Sequence, residues 1–213
     1  MINASKSTGA DAGWDAFVTQ PALYIEPSRL AMCFDGMVGP ELCARLKASL
    51  RLEERLSGLV HSRYGLARTI AAEDVSDTDR SIALCSSEQL AEVVRRAGAI
   101  YWANSIANTI RAADAAAFDA ALGESLCVVA LANRDLSGPM QPLTPYDQLG
   151  ARVTEDGFRC LGAWCKAQSP GVGLRVSLKL APNPALDDSV NHPFDELGPA
   201  IVRRTVVAML FAQ

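Results

Sequence analysis

Six cysteines, two histidines and one dense run of acids are the side chains of this chain that could do chemistry. The cysteines are Cys33, Cys43, Cys85, Cys127, Cys160 and Cys165; the histidines are His61 and His192. A cysteine nucleophile needs a histidine base, and Cys160 with His192 is the pair to weigh. No local signature surrounds either residue. A metal at His192 would draw on Asp187, Asp188, Asp195 and Glu196, but that cluster has no second histidine and sits among prolines. Zinc sites converge three or four ligands at recognisable spacings, and none is present. Cys160 and Cys165 are five positions apart, so they face different sides of a helix and form no C-x-x-C pair.

The acidic run is Glu73–Asp79, and it resembles a calcium loop in part. Asp77, Asp79, Ser81 and Glu88 occupy the first, third, fifth and twelfth positions of the template. The sixth should be glycine for the sharp turn, and here it is Ile82; Cys85 replaces an oxygen ligand at the ninth. The run therefore reads as a solvated acidic turn, with Glu73, Asp74, Asp77 and Asp79 as candidate contacts for a basic partner. Nucleotide-binding, nucleophile-elbow and zinc-protease motifs are absent, and Gly171-Val172-Gly173 is a turn rather than a phosphate loop. No catalytic residue, metal ligand or cofactor is expected.

The elements that carry these residues are helical in pattern. Gly39-Pro40 opens a helix in which Leu42, Leu46, Leu52, Leu56 and Leu59 keep one apolar face to about His61. Ser86 or Ser87 caps a second, interrupted at Gly98 and resumed through Trp102 to Ile110. Asp114 starts a third, with Phe118, Leu122, Leu126 and Val129 inward and Cys127, Val128 and Ala130 making its end apolar all round. Asp135–Pro145, with Gly138 and three prolines, is a loop and a candidate boundary. Thr144-Pro145 begins a short helix, and a longer one follows over 154–168. Gly198-Pro199 begins the last. Trp102 and Trp164 are expected core anchors.

One segment reads differently. Leu174, Val176, Leu178 and Leu180 alternate with Arg175, Ser177 and Lys179, the period of a half-buried strand. Region 22–26 is its candidate pairing partner. The expected fold is mainly α: one helical domain over 14–213, with a minor β element near the C-terminus and a disordered tail over 1–13.

Composition sets outer limits. The chain has 213 residues, 49% of them hydrophobic but only 6% aromatic, and a net charge of −4. That supports a packed core filled by Ala, Val and Leu. It argues against a nucleic-acid partner, which calls for a basic surface. No signal peptide and no run of about 20 apolar residues is evident, so membrane association would come only through partners.

Three blocks together resemble the SctK/YscK family of type III secretion systems, including its rhizobial members. They are Leu84–Trp102 (LCSSEQLAEVVRRAGAIYW), Gly157–Trp164 (GFRCLGAW) and the alternating Leu174–Leu180 followed by Ala181-Pro182. The resemblance covers roughly residues 20–211 and rests on packing patterns. It implies a cytoplasmic sorting-platform adaptor, linking the inner-membrane ring protein's cytoplasmic domain to the pod protein, and no catalytic site. The alternative reading of the residues is a small Cys-His enzyme or a helical ligand-binding protein. A chaperone for secreted effectors is a third, against which the length argues.

Overall fold

The computed structural model describes the backbone of residues 4–188 and 193–211 and the side chains of 12–169, 171–188 and 193–210. The fold is mainly α, with thirteen α-helices and no strand among the described residues. These are α1 (Ala4–Thr19), α2 (Pro27–Ala31), α3 (Pro40–Lys47), α4 (Glu53–Tyr64), α5 (Asp77–Leu84), α6 (Ser87–Tyr101) and α7 (Ala103–Ala107). They continue with α8 (Ala112–Leu122), α9 (Glu124–Ala132), α10 (Leu149–Ala167), α11 (Pro170–Ser177), α12 (Pro184–Asp187) and α13 (Phe194–Phe211). Two compact units hold them: unit 1 is Met1–Glu88 with Gln168–Pro182, and unit 2 is Gln89–Ala167 with Asn183–Gln213. The Asp135–Pro145 loop lies within unit 2. Helix α1 reaches back into the segment expected to be a tail.

Several expected element boundaries need correction: α8 begins at Ala112, so Asp114 lies in its first turn; α10 begins at Leu149 rather than 154; and α13 begins at Phe194, with Gly198-Pro199 inside it. The helix expected from Pro40 to His61 is two, α3 and α4, separated by a 3-10 turn at Leu50–Leu52. Leu50, in that turn, points into solvent. Helix α4 ends at Gly65, whose φ of 61° supplies the left-handed C-cap that glycine tolerates. The helix expected from Asp114 is also two, α8 and α9, bent by 103° at Gly123, where φ is 78°. By contrast α6 runs straight through Gly98 and breaks only after Tyr101.

The strand is the largest correction. Residues 170–177 form α11, and 178–180 form a turn after it. The side chains the alternation assigns to solvent are buried along with the apolar ones: Arg175 is 0% exposed and Lys179 6%, like Val176 and Leu178, and of the whole run only Leu174, at 36%, is exposed. A spacing of four fits one helical repeat as well as one strand face; the backbone decides, with Arg175 on α11 and Lys179 in the turn after it. Of the expected pairing with region 22–26, one backbone hydrogen bond exists, from Glu26 N to Leu178 O at 2.8 Å.

Unit 1 is assembled around these cations. Arg175 donates to the carbonyls of Gly171 (2.9 Å), Val18 (3.0 Å) and Ala67, joining α11 to the end of α1 and to the loop after α4. Lys179 donates to the carbonyls of Ala83 (2.6 Å) and Cys85 (2.7 Å). Those carbonyls end α5 and have no acceptor role inside the helix, so a cation there satisfies them and meets the negative end of the helix dipole. From α2, Arg29 Nε donates to Leu180 O at 2.6 Å. The apolar core beneath is Ile25, Leu30, Cys43, Leu56, Val60, Leu66 and Leu178.

Unit 2 is built on α10. A Cβ placed on Gly98 would lie 2.0 Å from Val153 O, and one on Gly157 2.0 Å from Val94 O. Helices α6 and α10 therefore cross with their backbones nearly in touch, and only glycine fits at either position. Gly198 does the same for α13, where a Cβ would come 2.9 Å from Cys160 O. Asp156 on α10 is buried; it accepts from Trp102 Nε1 at 2.8 Å and from Arg159 at 2.6 Å. Burial pushes its carboxyl above the usual range, against the opposing effect of those two donors. Trp102 and Trp164 are core anchors, as expected.

Two predictions follow from these contacts. Gly98→Ala gains about 1 kcal/mol in helix propensity but loses about 1–3 kcal/mol to overpacking, so the denaturation midpoint should fall; a rise would disprove the close crossing. Burial holds the Lys179 ammonium at about 8, below its ordinary 10.5. The folded chain thus binds fewer protons than the unfolded one between pH 8 and 10.5, and this residue's contribution to stability rises with pH across that window. The stability of wild type relative to Lys179→Met, followed by urea denaturation, should increase from pH 7.5 to pH 10.

Candidate functional site

The four acids of the 73–79 run do not act as a set. Ser76 is the N-cap of α5: its Oγ accepts from Asp79 N (3.1 Å) and donates to Asp79 Oδ2 (2.7 Å). Asp79 is buried, held to the cap residue through both its N–H and its carboxylate. Asp77 pairs with Arg80. Glu73 and Asp74 sit on a 3-10 turn with exposed side chains. The calcium template fails on backbone grounds, since Asp77–Leu84 is helix and Ser81 Oγ donates to Asp77 O at 2.9 Å.

The thiols and the imidazole are placed by packing. Cys43, Cys85 and Cys160 are buried, and Cys33, Cys127 and Cys165 half-buried; all six are free thiols. Cys85 lies in the junction between α5 and α6 rather than in a helix. Burial raises the thiols of Cys33, Cys43, Cys85, Cys127 and Cys160, which starves each of the reactive thiolate. His61 is buried with a carbonyl at each ring nitrogen, Leu66 O at 3.2 Å from Nδ1 and Thr19 O at 3.3 Å from Nε2. His192, the base of the Cys160 pairing, lies outside the described residues. Among the described residues no three His, Cys, Asp or Glu side chains converge on a point that could hold a metal.

Exposed apolar side chains are what sequence reasoning missed. The end of the α8–α9 segment was expected to be apolar all round and central in the core. Leu126 and Ala130 do pack inward, against Ala99 and Ala103. Val128, however, is 59% exposed and Leu131 47%. They stand three apart on α9 and so share a face. The reason is the bend at Gly123, which turns α9 so that only one side meets α6 and α7. In unit 1, Met32, Met37 and Leu42 are also exposed, around α2 and α3. The signal available in the sequence was the glycine itself, flanked by two acids, Asp119 and Glu124, that a buried helix would not carry.

No single helix among the described residues is long and apolar enough to cross a membrane; α8 and α9 are so only when taken together across their bend. Comparison with family models, with curated proteins and with solved structures finds no match to this chain.

The burial of the thiols has a direct test. Cys43 and Cys160, both fully enclosed, should resist Ellman's reagent in the native state and titrate only on unfolding, while Cys33, Cys127 and Cys165 react first. Rapid native modification of Cys160, read by mass spectrometry, would contradict the packing of α10 described above.

Proposed function

We propose that this chain is a protein–protein adaptor of a type III secretion sorting platform. It would join the cytoplasmic domain of the inner-membrane ring protein to the pod protein, at the cytoplasmic face of the apparatus. The observation that carries the reading is α9, a helix with one face in the core of unit 2 and a second apolar face, Val128 and Leu131, in water. Large apolar side chains left exposed side by side mark interaction surfaces, and such residues act as anchors once a partner excludes water from them. Bridging needs a second surface. Unit 1 offers Glu73 and Asp74 on an exposed turn, where charge would set encounter rate and register with a basic partner. The identity of the two partners comes from the sequence resemblance of Leu84–Trp102, Gly157–Trp164 and Leu174–Leu180 to the SctK/YscK family.

Co-purification tests it. Wild-type chain should retain both the ring-protein domain and the pod protein of its own secretion system. The pair Val128→Asp and Leu131→Asp should lose one of them, by about tenfold or more in Kd, the scale of one anchor residue at an interface, and keep the other. Glu73→Lys with Asp74→Lys should slow association with the remaining partner, most at low salt. Failure of the wild-type chain to retain either protein would overturn the reading.

A further inference from the structure

Unit 1 carries a solvent-open pocket of about 360 Å³ between α1, the Pro21–Leu23 turn, the end of α3 and the α5–α6 junction. Its lining is of two kinds. Phe17 and Tyr24 form a stacked aromatic pair, with centroids 5.4 Å apart and an interplanar angle of 26°, and Leu23 and Leu84 extend that apolar wall. Two amines, Lys47 and Lys179, stand in the lining with Cys85, Ser86 and Ser87. The Lys179 ammonium lies 5.1 Å from both ring centroids, over the electron-rich faces.

The positive charge in this cavity lacks an acid within the lining, which contains no Asp or Glu among its described residues. Lys179 donates to two carbonyls, and Lys47 to Ile25 O. Two acids outside the lining have hydrogen bonds of their own. Glu26, the acid that acts on Lys47, caps α2 by accepting from Ser28 N (2.7 Å) and Arg29 N (3.3 Å). Glu88 accepts from Ser86 Oγ at 2.8 Å. Cys85 is the ionisable group facing Lys179, and burial keeps its thiol protonated. Burial also lowers both lysines, so the folded chain holds these charges at a cost that a bound anion would relieve.

We propose that this cavity binds a small organic carboxylate, with its carboxylate on Lys47 and Lys179 and an aryl or short alkyl body against Phe17 and Tyr24. The volume is at the lower end of the range for ligand sites, about 300–1,000 Å³. An apolar wall with ammonium groups beside it suits a monoanion with a hydrophobic body better than a strongly hydrated phosphate, which offers nothing to the aromatic pair. The inference does not depend on the adaptor reading.

The full chain titrated with phenylacetate and 3-phenylpropionate, followed by calorimetry and by amide chemical shifts, tests it; phenylacetamide serves as the uncharged isostere. Saturable binding is expected with Kd of about 0.1–1 mM for ligands of this size. Phenylacetamide should bind at least about tenfold more weakly, as should phenylacetate to Lys47→Gln, because each comparison removes a charged hydrogen bond. Affinity should fall from pH 7 to pH 9 as Lys179 loses its proton. Lys47 is only half-buried, so its variant should fold even if Lys179→Met does not. Equal affinity for acid and amide, no saturation by about 10 mM, or unchanged binding in Lys47→Gln would each overturn the proposal. So would a Lys47→Gln variant that loses a protein partner while wild type binds neither acid.

Discussion

Unit 1 depends on helix ends that are satisfied by cations from other helices. Each α-helix leaves its last carbonyls without an internal donor, and burying such an end without a partner is costly. In α5 those carbonyls meet Lys179; after α11 they meet Glu26 N and Arg29 from α2. Arg175 reaches the carbonyls at the end of α1 and beyond α4 in the same way. Charge-assisted hydrogen bonds of this kind are stronger than neutral ones, and a buried cation left without them would be strongly destabilising. Short helices of five to eight residues, marginal alone, are thereby locked at their ends and not only along their sides.

Unit 2 solves the same problem of cohesion by different means. Its longest helices pack through glycine: Gly98 on α6 and Gly157 on α10 let those two approach to backbone contact, while α13 brings its own Gly198 against α10. Close crossing gains dispersion along the whole helix pair. It also fixes where aromatic residues fall, and Trp102 of the chain after α6 comes to donate to Asp156. The alanine-rich, aromatic-poor composition suits this arrangement, since small side chains are what allow the backbones so near.

These two strategies decide what was legible beforehand. Helix content followed from periodicity, and the start of α6 at the Ser86-Ser87 cap agreed with it. Gly98 was read as an interruption because a glycine in isolation says only that a helix is weakened; its purpose lies in Gly157, fifty-nine residues away. Arg175 and Lys179 misled for a related reason. Alternation reads as a strand only where charge faces water, and here both charges face carbonyls. A pattern confined to one segment does not disclose that distant chain ends will need donors. The helix-opening Ser169-Pro170 was the local feature that could have favoured α11 over a strand. The acids were legible as a cluster but not individually: Asp79 is tied to the N-cap Ser76, a role that the Ser76-x-x-Asp79 spacing already carried.

The same buried cations connect architecture to any activity the chain has. A lysine kept over an aromatic pair to hold the end of α5 is, for unrelated reasons, a cation facing a cavity. Its removal would therefore disturb folding and binding together; Lys47 shares the cavity from a half-buried position and holds Ile25 O rather than the end of α5. On α9 the division is cleaner, because Leu126 and Ala130 hold the helix to unit 2 while Val128 and Leu131 take no part in that core. Substitutions on the outer face should leave stability nearly unchanged, so a loss of partner there would report on recognition and not on the fold.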